Sequence, residues 1–215
     1  MKKIEIQTKY WHRARLASFL LQFMPFIRMI GLNGSLARGE ASERSDIDLI
    51  IIAKPGRIWT CRFFSILIMM IFGLKRYENK IAGRICLNLY QTTDKLELSI
   101  KTTQLARNHS FTKLLWQEND IFKVFKQKNQ WIQDFGYDFQ DLGRISVLAN
   151  TCSKFIFIFR KINELIFDLF FSDLGERVLG QYQKNRILKD QRTIRAKSGQ
   201  IFISSKELRF HPDKI

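Results

Sequence analysis

Residues 34–52 read GSLARGEASERSDIDLIII, and no other stretch constrains this chain as tightly. The run DIDLIII is an apolar strand entered through two acids. Positions i and i+2 of a strand project from the same face, so Asp46 and Asp48 present two carboxylates side by side. Ahead of them, the apolar residues 26–32 lead into Asn33-Gly34, which predicts a strand ending in a turn. A short helix is expected from Ser35. Glycine at that junction lets the backbone approach a ligand closely. The first N–H groups of a helix favour an anion, and the Ser35 hydroxyl adds a donor. A phosphate cradle beside paired carboxylates makes a site for Mg²⁺.

Arg38 and Arg44 flank the cradle and are expected to neutralise phosphate charge, with Ser45 beside them as a further nucleotide-binding residue. Each half of the pattern has an ordinary meaning when alone. Gly34-Ser35 is then a helix cap, and Asp46 and Asp48 are solvated charge at a strand entrance. Arg38 and Arg44 would equally serve as surface partners of Glu40 and Glu43. The joint pattern implies phosphoryl or nucleotidyl chemistry, in which metal ions roughly 3.5–4 Å apart clamp the attacking and leaving oxygens.

Gly-Ser, ten intervening residues, then Asp-x-Asp and an apolar run resembles the signature of the DNA polymerase β-like nucleotidyltransferase superfamily. The fuller string is most similar to the minimal nucleotidyltransferases and the kanamycin nucleotidyltransferase kind. The resemblance is tight over residues 29–55 and loose over 11–100. It implies an α/β (α+β) core, a small mixed sheet flanked by helices. It further implies two Mg²⁺ ions and transfer of a nucleoside monophosphate from a nucleoside triphosphate to a hydroxyl, with release of pyrophosphate. Carried over by position, Gly34 and Ser35 hold the triphosphate, and Asp46 and Asp48 hold metal.

The same resemblance implies a third carboxylate on a later strand, and here the chain departs from the pattern. The matching strand is residues 84–90, whose central polar residue is Asn88. Asn can ligate a metal but cannot take a proton at neutral pH. Glu97, in the alternating run KLELSI, is the candidate for the missing catalytic role, and Asp94 lies nearby. The acceptor stays open among a small molecule, a protein side chain and an RNA end. The rival reading is a catalytically degenerate nucleotide- or RNA-binding module of antitoxin-like kind. A second rival is a peripheral membrane protein.

Composition narrows the background. The chain has 215 residues and a formal charge of +16, a field that attracts polyanions, although Lys- and Phe-rich codon usage would produce the same excess. Cys61, Cys86 and Cys152 are scattered, as are the three histidines. That argues against a disulfide framework and a zinc knuckle, and fits the cytoplasm. Cys86 and Cys152 are expected as small core residues. No signal peptide is read. Residues 63–74 are apolar but short of the roughly 20 needed to span a bilayer. Residues 155–171 are interrupted by Arg160, Lys161, Glu164 and Asp168, so no transmembrane segment is expected.

Helices are expected over 13–23, 58–74, 103–116, 120–126 and 145–174, and strands over 26–32, 46–53, 84–91 and 95–100. Arg160, Glu164 and Asp168 recur every four residues and form one polar stripe. Phe155, Phe159 and Ile162 then read as helix-packing surface. The expected division is a nucleotidyltransferase core over 1–103 and a helical region with a basic tail over 104–215. That tail carries Lys184, Arg186, Lys189, Arg192, Arg195 and Lys197. It is read as a solvated face, with a weak nucleic-acid contact as the alternative.

Overall fold

The computed structural model describes residues 2–77, 79–140, 153–170, 172–190 and 201–210. Helix α1 (Lys2–Leu21) stops ahead of Pro25. Strand β1 (Ile27–Asn33) passes into a single helical turn, α2 (Gly34–Ala37), and a polar loop leads to β2 (Ile47–Ala53). Then come α3 (Ile58–Ile71) and β3 (Ile85–Thr92). Beyond these lie α4 (Thr103–Ser110), β4 (Lys113–Gln117), α5 (Ile121–Lys128) and a 3₁₀ turn (Gln130–Phe135). Helices α6 (Ser153–Phe170) and α7 (Ser172–Lys189) follow, with β5 (Phe202–Ile203) and β6 (Glu207–Arg209) after them.

The strands form one mixed sheet in the order β4-β1-β2-β3-β6-β5. Among the described strands only β2 and β3 run parallel, and α3 makes their crossover. β2 is buried along its whole length, as expected of a central strand covered on both faces. Ile47, Leu49, Ile51 and Ala53 pack with α1 and α3, while Ile50 and Ile52 pack with α4, α5 and the 3₁₀ turn. The alternation of β2 thus builds two cores, one on each side of the sheet.

Two of the expected elements needed correction. Residues 103–116 are not one helix: α4 ends at Ser110, and β4 pairs antiparallel with β1. The run 95–100 is not a strand. Its alternation is real, since Leu96 and Leu98 are buried, but β6 already pairs with the free edge of β3. Its backbone donors go to side chains instead, Leu98 N–H to Asn129 Oδ1 (3.0 Å) and Ser99 N–H to Glu207 Oε2 (3.1 Å). The strands of the sheet come from both sides of residue 103. Residues 145–152, with Cys152, lie outside the described residues, as do Arg192, Arg195 and Lys197.

Helices α6 and α7 dock through polar contacts. Glu164 accepts two hydrogen bonds from Arg28 (2.7 and 2.9 Å) and one from Phe26 N–H (2.8 Å). Arg160 is buried and pairs with Glu118. Asp168 pairs with Lys54 and Arg57. Glu176 of α7 accepts from Trp59 N–H, Thr60 N–H and the Thr60 hydroxyl, so it caps the start of α3 from outside that helix. Gly180 lets α7 approach the Trp59 indole, where a Cβ would lie 2.9 Å from the ring. The polar stripe is therefore the docking face. Phe155, Phe159 and Ile162, expected as packing surface, are exposed at 68%, 42% and 52%. Among the described residues, no helix is long and apolar enough to cross a membrane.

Candidate active site

The site forms where β1 ends and β2 begins. Antiparallel register sets Asn33 opposite Asp48. Asn33 is buried, and its Oδ1 accepts from Gly34 N–H (2.8 Å), which caps the α2 turn. Its amide nitrogen lies 3.4 Å from His109 Nδ1. Burial, reinforced by the charge of Arg209, pushes His109 down to about 3. His109 is therefore neutral and acts as an acceptor that orients Asn33.

Gly34 has φ +72°, and a Cβ there would lie 2.1 Å from Asp48 Oδ2. Only glycine permits both the backbone conformation and the approach of that carboxylate. The glycine and the acid, fourteen positions apart, are in direct juxtaposition. Because Asn33 takes the Gly34 N–H, the expected anion contact at the start of α2 falls to Ser35.

A cleft of about 420 Å³ opens over this junction, lined by Gly34, Ser35, Asp46, Asp48 and Asn88 among others. Among the described residues, four arginines reach it: Arg38, Arg44, Arg76 and Arg209. Arg38 is steered by Glu40 (2.7 Å) and Asn108 (2.8 Å). Arg44 is exposed at the rim. Ser45 also lines the cleft, with its hydroxyl tied to Ser42 in the loop turn.

Residues 13–107 match the family model described as a nucleotidyltransferase domain. This segment is a nucleotidyltransferase domain of the polymerase β-like superfamily. No curated protein and no solved structure matches the chain.

Within the nucleotidyltransferase domain, the residue brought level with Asp48 on β3 is Cys86. Ligand atoms of Asp46, Asp48 and Cys86 lie within 4.8 Å of one another. Asn88 follows at an irregularity of the β2–β3 register, and its buried Oδ1 has no hydrogen-bond partner among the described residues. Two carboxylates and an unsatisfied amide oxygen are hard oxygen donors, so the set fits a cation such as Mg²⁺. Burial, and after it the Asp48 and Asp46 carboxylates, pushes the Cys86 thiol above its ordinary range.

Glu97 is not brought to the site. It is half-buried, pairs with Lys101 (2.7 Å), and does not line the cleft. Asp94 likewise pairs away from it, with Lys206. Besides His109 and Asn108, the sequence reading missed Cys86, Arg76 and Arg209 as site residues. Cys86 could have been found only by aligning β3 against Asp48. Arg76 carried a weak signal, the basic pair Lys75-Arg76 closing an apolar helix. Arg209 carried none, since it arrives through the pairing of β6 with Leu89 of β3.

Proposed function

We propose that the protein is a Mg²⁺-dependent nucleotidyltransferase that moves a nucleoside monophosphate from a nucleoside triphosphate to a hydroxyl acceptor, releasing pyrophosphate. The observation that carries this reading is the pair Asp46 and Asp48, the second packed against Gly34, lining a cleft to which four arginines among the described residues contribute. Bound divalent cations would stabilise charge on the attacking and leaving oxygens. Asp46 and Asp48 would hold them, with Asn88 Oδ1 as a further ligand. Ser35 and the arginines would bind and orient the triphosphate, placing its α-phosphate over the carboxylates. The acceptor proton needs a base. Among the described residues lining the cleft, Asp46 and Asp48 supply the only carboxylates, and His109 is buried and turned toward Asn33.

The test is incubation with α-labelled nucleoside triphosphates and Mg²⁺, alongside an Asp46→Asn/Asp48→Asn double variant. Label transfer to protein, small molecules or RNA, lost in the variant, supports the reading and sorts the acceptor class. Nucleotide binding without transfer under any acceptor supply would contradict it.

A further inference from the structure

Asp46 already holds a cation from within the chain. Arg76 Nη1 lies 2.5 Å from Asp46 Oδ2 and 3.8 Å from Cys86 Sγ. It thus occupies the space between two of the three groups whose ligand atoms cluster. The loop that carries it is pinned to β3: Arg76 N–H donates to Ile85 O (3.0 Å), and Ile85 N–H donates to Leu74 O (2.8 Å). The backbone is held while the long side chain reaches across to the acid. The guanidinium Nε is buried and has no partner among the described residues. The pair itself is only partly covered, with side-chain exposures of 26% and 15%, so the guanidinium has an open path into the cleft.

A divalent ion that binds Asp46 meets the Arg76 charge at close range, and the two cations repel each other. That repulsion favours movement of the guanidinium off Asp46, toward the adjoining cleft where phosphates are expected. We propose that Arg76 is a resident counter-ion of the metal position: it neutralises Asp46 while the site is empty and passes to the triphosphate when metal and nucleotide enter together. This inference rests on the nucleotidyltransferase reading of the same site. Its consequence is coupling. Metal alone competes with Arg76 and binds weakly, whereas metal entering with a triphosphate gives the guanidinium a new anionic partner.

The test uses the full chain, wild type and Arg76→Gln, titrated with Mn²⁺. Free ion is read by electron paramagnetic resonance, alone and with a non-hydrolysable α,β-methylene triphosphate. Arg76→Gln is expected to bind Mn²⁺ alone about tenfold more tightly than wild type, and the Mn²⁺–triphosphate complex about tenfold less tightly. Opposite signs are the signature, since a merely structural role would weaken both. Equal or weaker binding of Mn²⁺ alone by the variant, with wild type still binding the complex, overturns the proposal and leaves the site reading standing. Failure of wild type to bind Mn²⁺ in either condition overturns both. Circular dichroism checks that the variant folds. If it does not, Arg76→Lys, whose shorter ammonium withdraws from Asp46, is expected to shift Mn²⁺ binding in the same direction, and no shift overturns the proposal.

Discussion

The β1–β2 pair has two ends, and they use charge in opposite ways. At one end Asn33 faces Asp48, and charged side chains converge on an open cleft. At the other end Ile27 faces Ala53, and the neighbouring Arg28, Lys54 and Arg57 are consumed by Glu164 and Asp168 of α6. The first end gathers acids and arginines around a cleft, with Arg76 paired to Asp46. The second end satisfies its charges internally and fastens a helix by its polar stripe. Similar residue types thus build a site around an open cleft and a joint that closes on its own charges.

Substitutions sharpen that contrast, beginning with the largest effect. Asp48→Asn should lower transfer by about 10²–10³-fold, as loss of a key electrostatic group does, with thermal stability unchanged. A large fall in melting temperature would mean that Asp48 is part of the joint-like class. Glu164→Ala should do the reverse. It leaves Arg28 and Arg160 to share Glu118 in a largely buried setting, at a cost of about 3 kcal/mol by denaturant unfolding, and it should leave nucleotide binding intact. Gly34→Ala combines a positive φ with a Cβ against Asp48. It should cost about 2 kcal/mol and also weaken nucleotide binding, because here stability and site coincide.

Acid should separate the two ends further. Burial alone would raise the Glu164 carboxyl, but the hydrogen bonds and charge of Arg28 outweigh it and hold it below the ordinary range. Asp168 behaves likewise through Lys54 and Arg57. A depressed folded-state pKa contributes stability above the unfolded-state pKa, and that stability is lost as pH falls through the folded one. The attachment of α6 should therefore weaken below the ordinary carboxylate range. Glu164→Gln should flatten that acid limb of the stability curve. The smallest effect is expected from Ile162→Ser on the exposed face of α6, within about 0.5 kcal/mol. A larger loss would show that this apolar face is covered in solution.

The legible parts were those in which neighbours along the chain suffice. Gly34 φ, the Asp46/Asp48 face and the all-apolar β2 follow from local chemistry and period, so β1, α2, β2, α3 and β3 were anticipated nearly in place. The run 95–100 misled because alternation reports burial, not pairing: Leu96 and Leu98 do turn inward, yet the edge they would need belongs to Leu208 and Arg209. The KLLWQ strand was hidden because an edge strand takes its identity from the partner it meets, here Gly31 and Leu32.

Helix α6 is the sharper lesson. Its sequence placed Phe155, Phe159 and Ile162 on one face and Arg160, Glu164 and Asp168 on another, and both faces are real. Which face turned inward was decided by complementary charges over a hundred positions away, Arg28, Lys54 and Arg57, and no local pattern carries that information. The same holds for Arg76 and Arg209 in the cleft and for Cys86 beside Asp48. The sequence by itself determined the paired acids, the glycine that admits one of them, and the strand that holds them, because dihedral preference and side-chain period act over a few residues. Only the tertiary structure decided which cations meet those acids and which helix face is buried, because long-range charge pairing depends on where distant strands end.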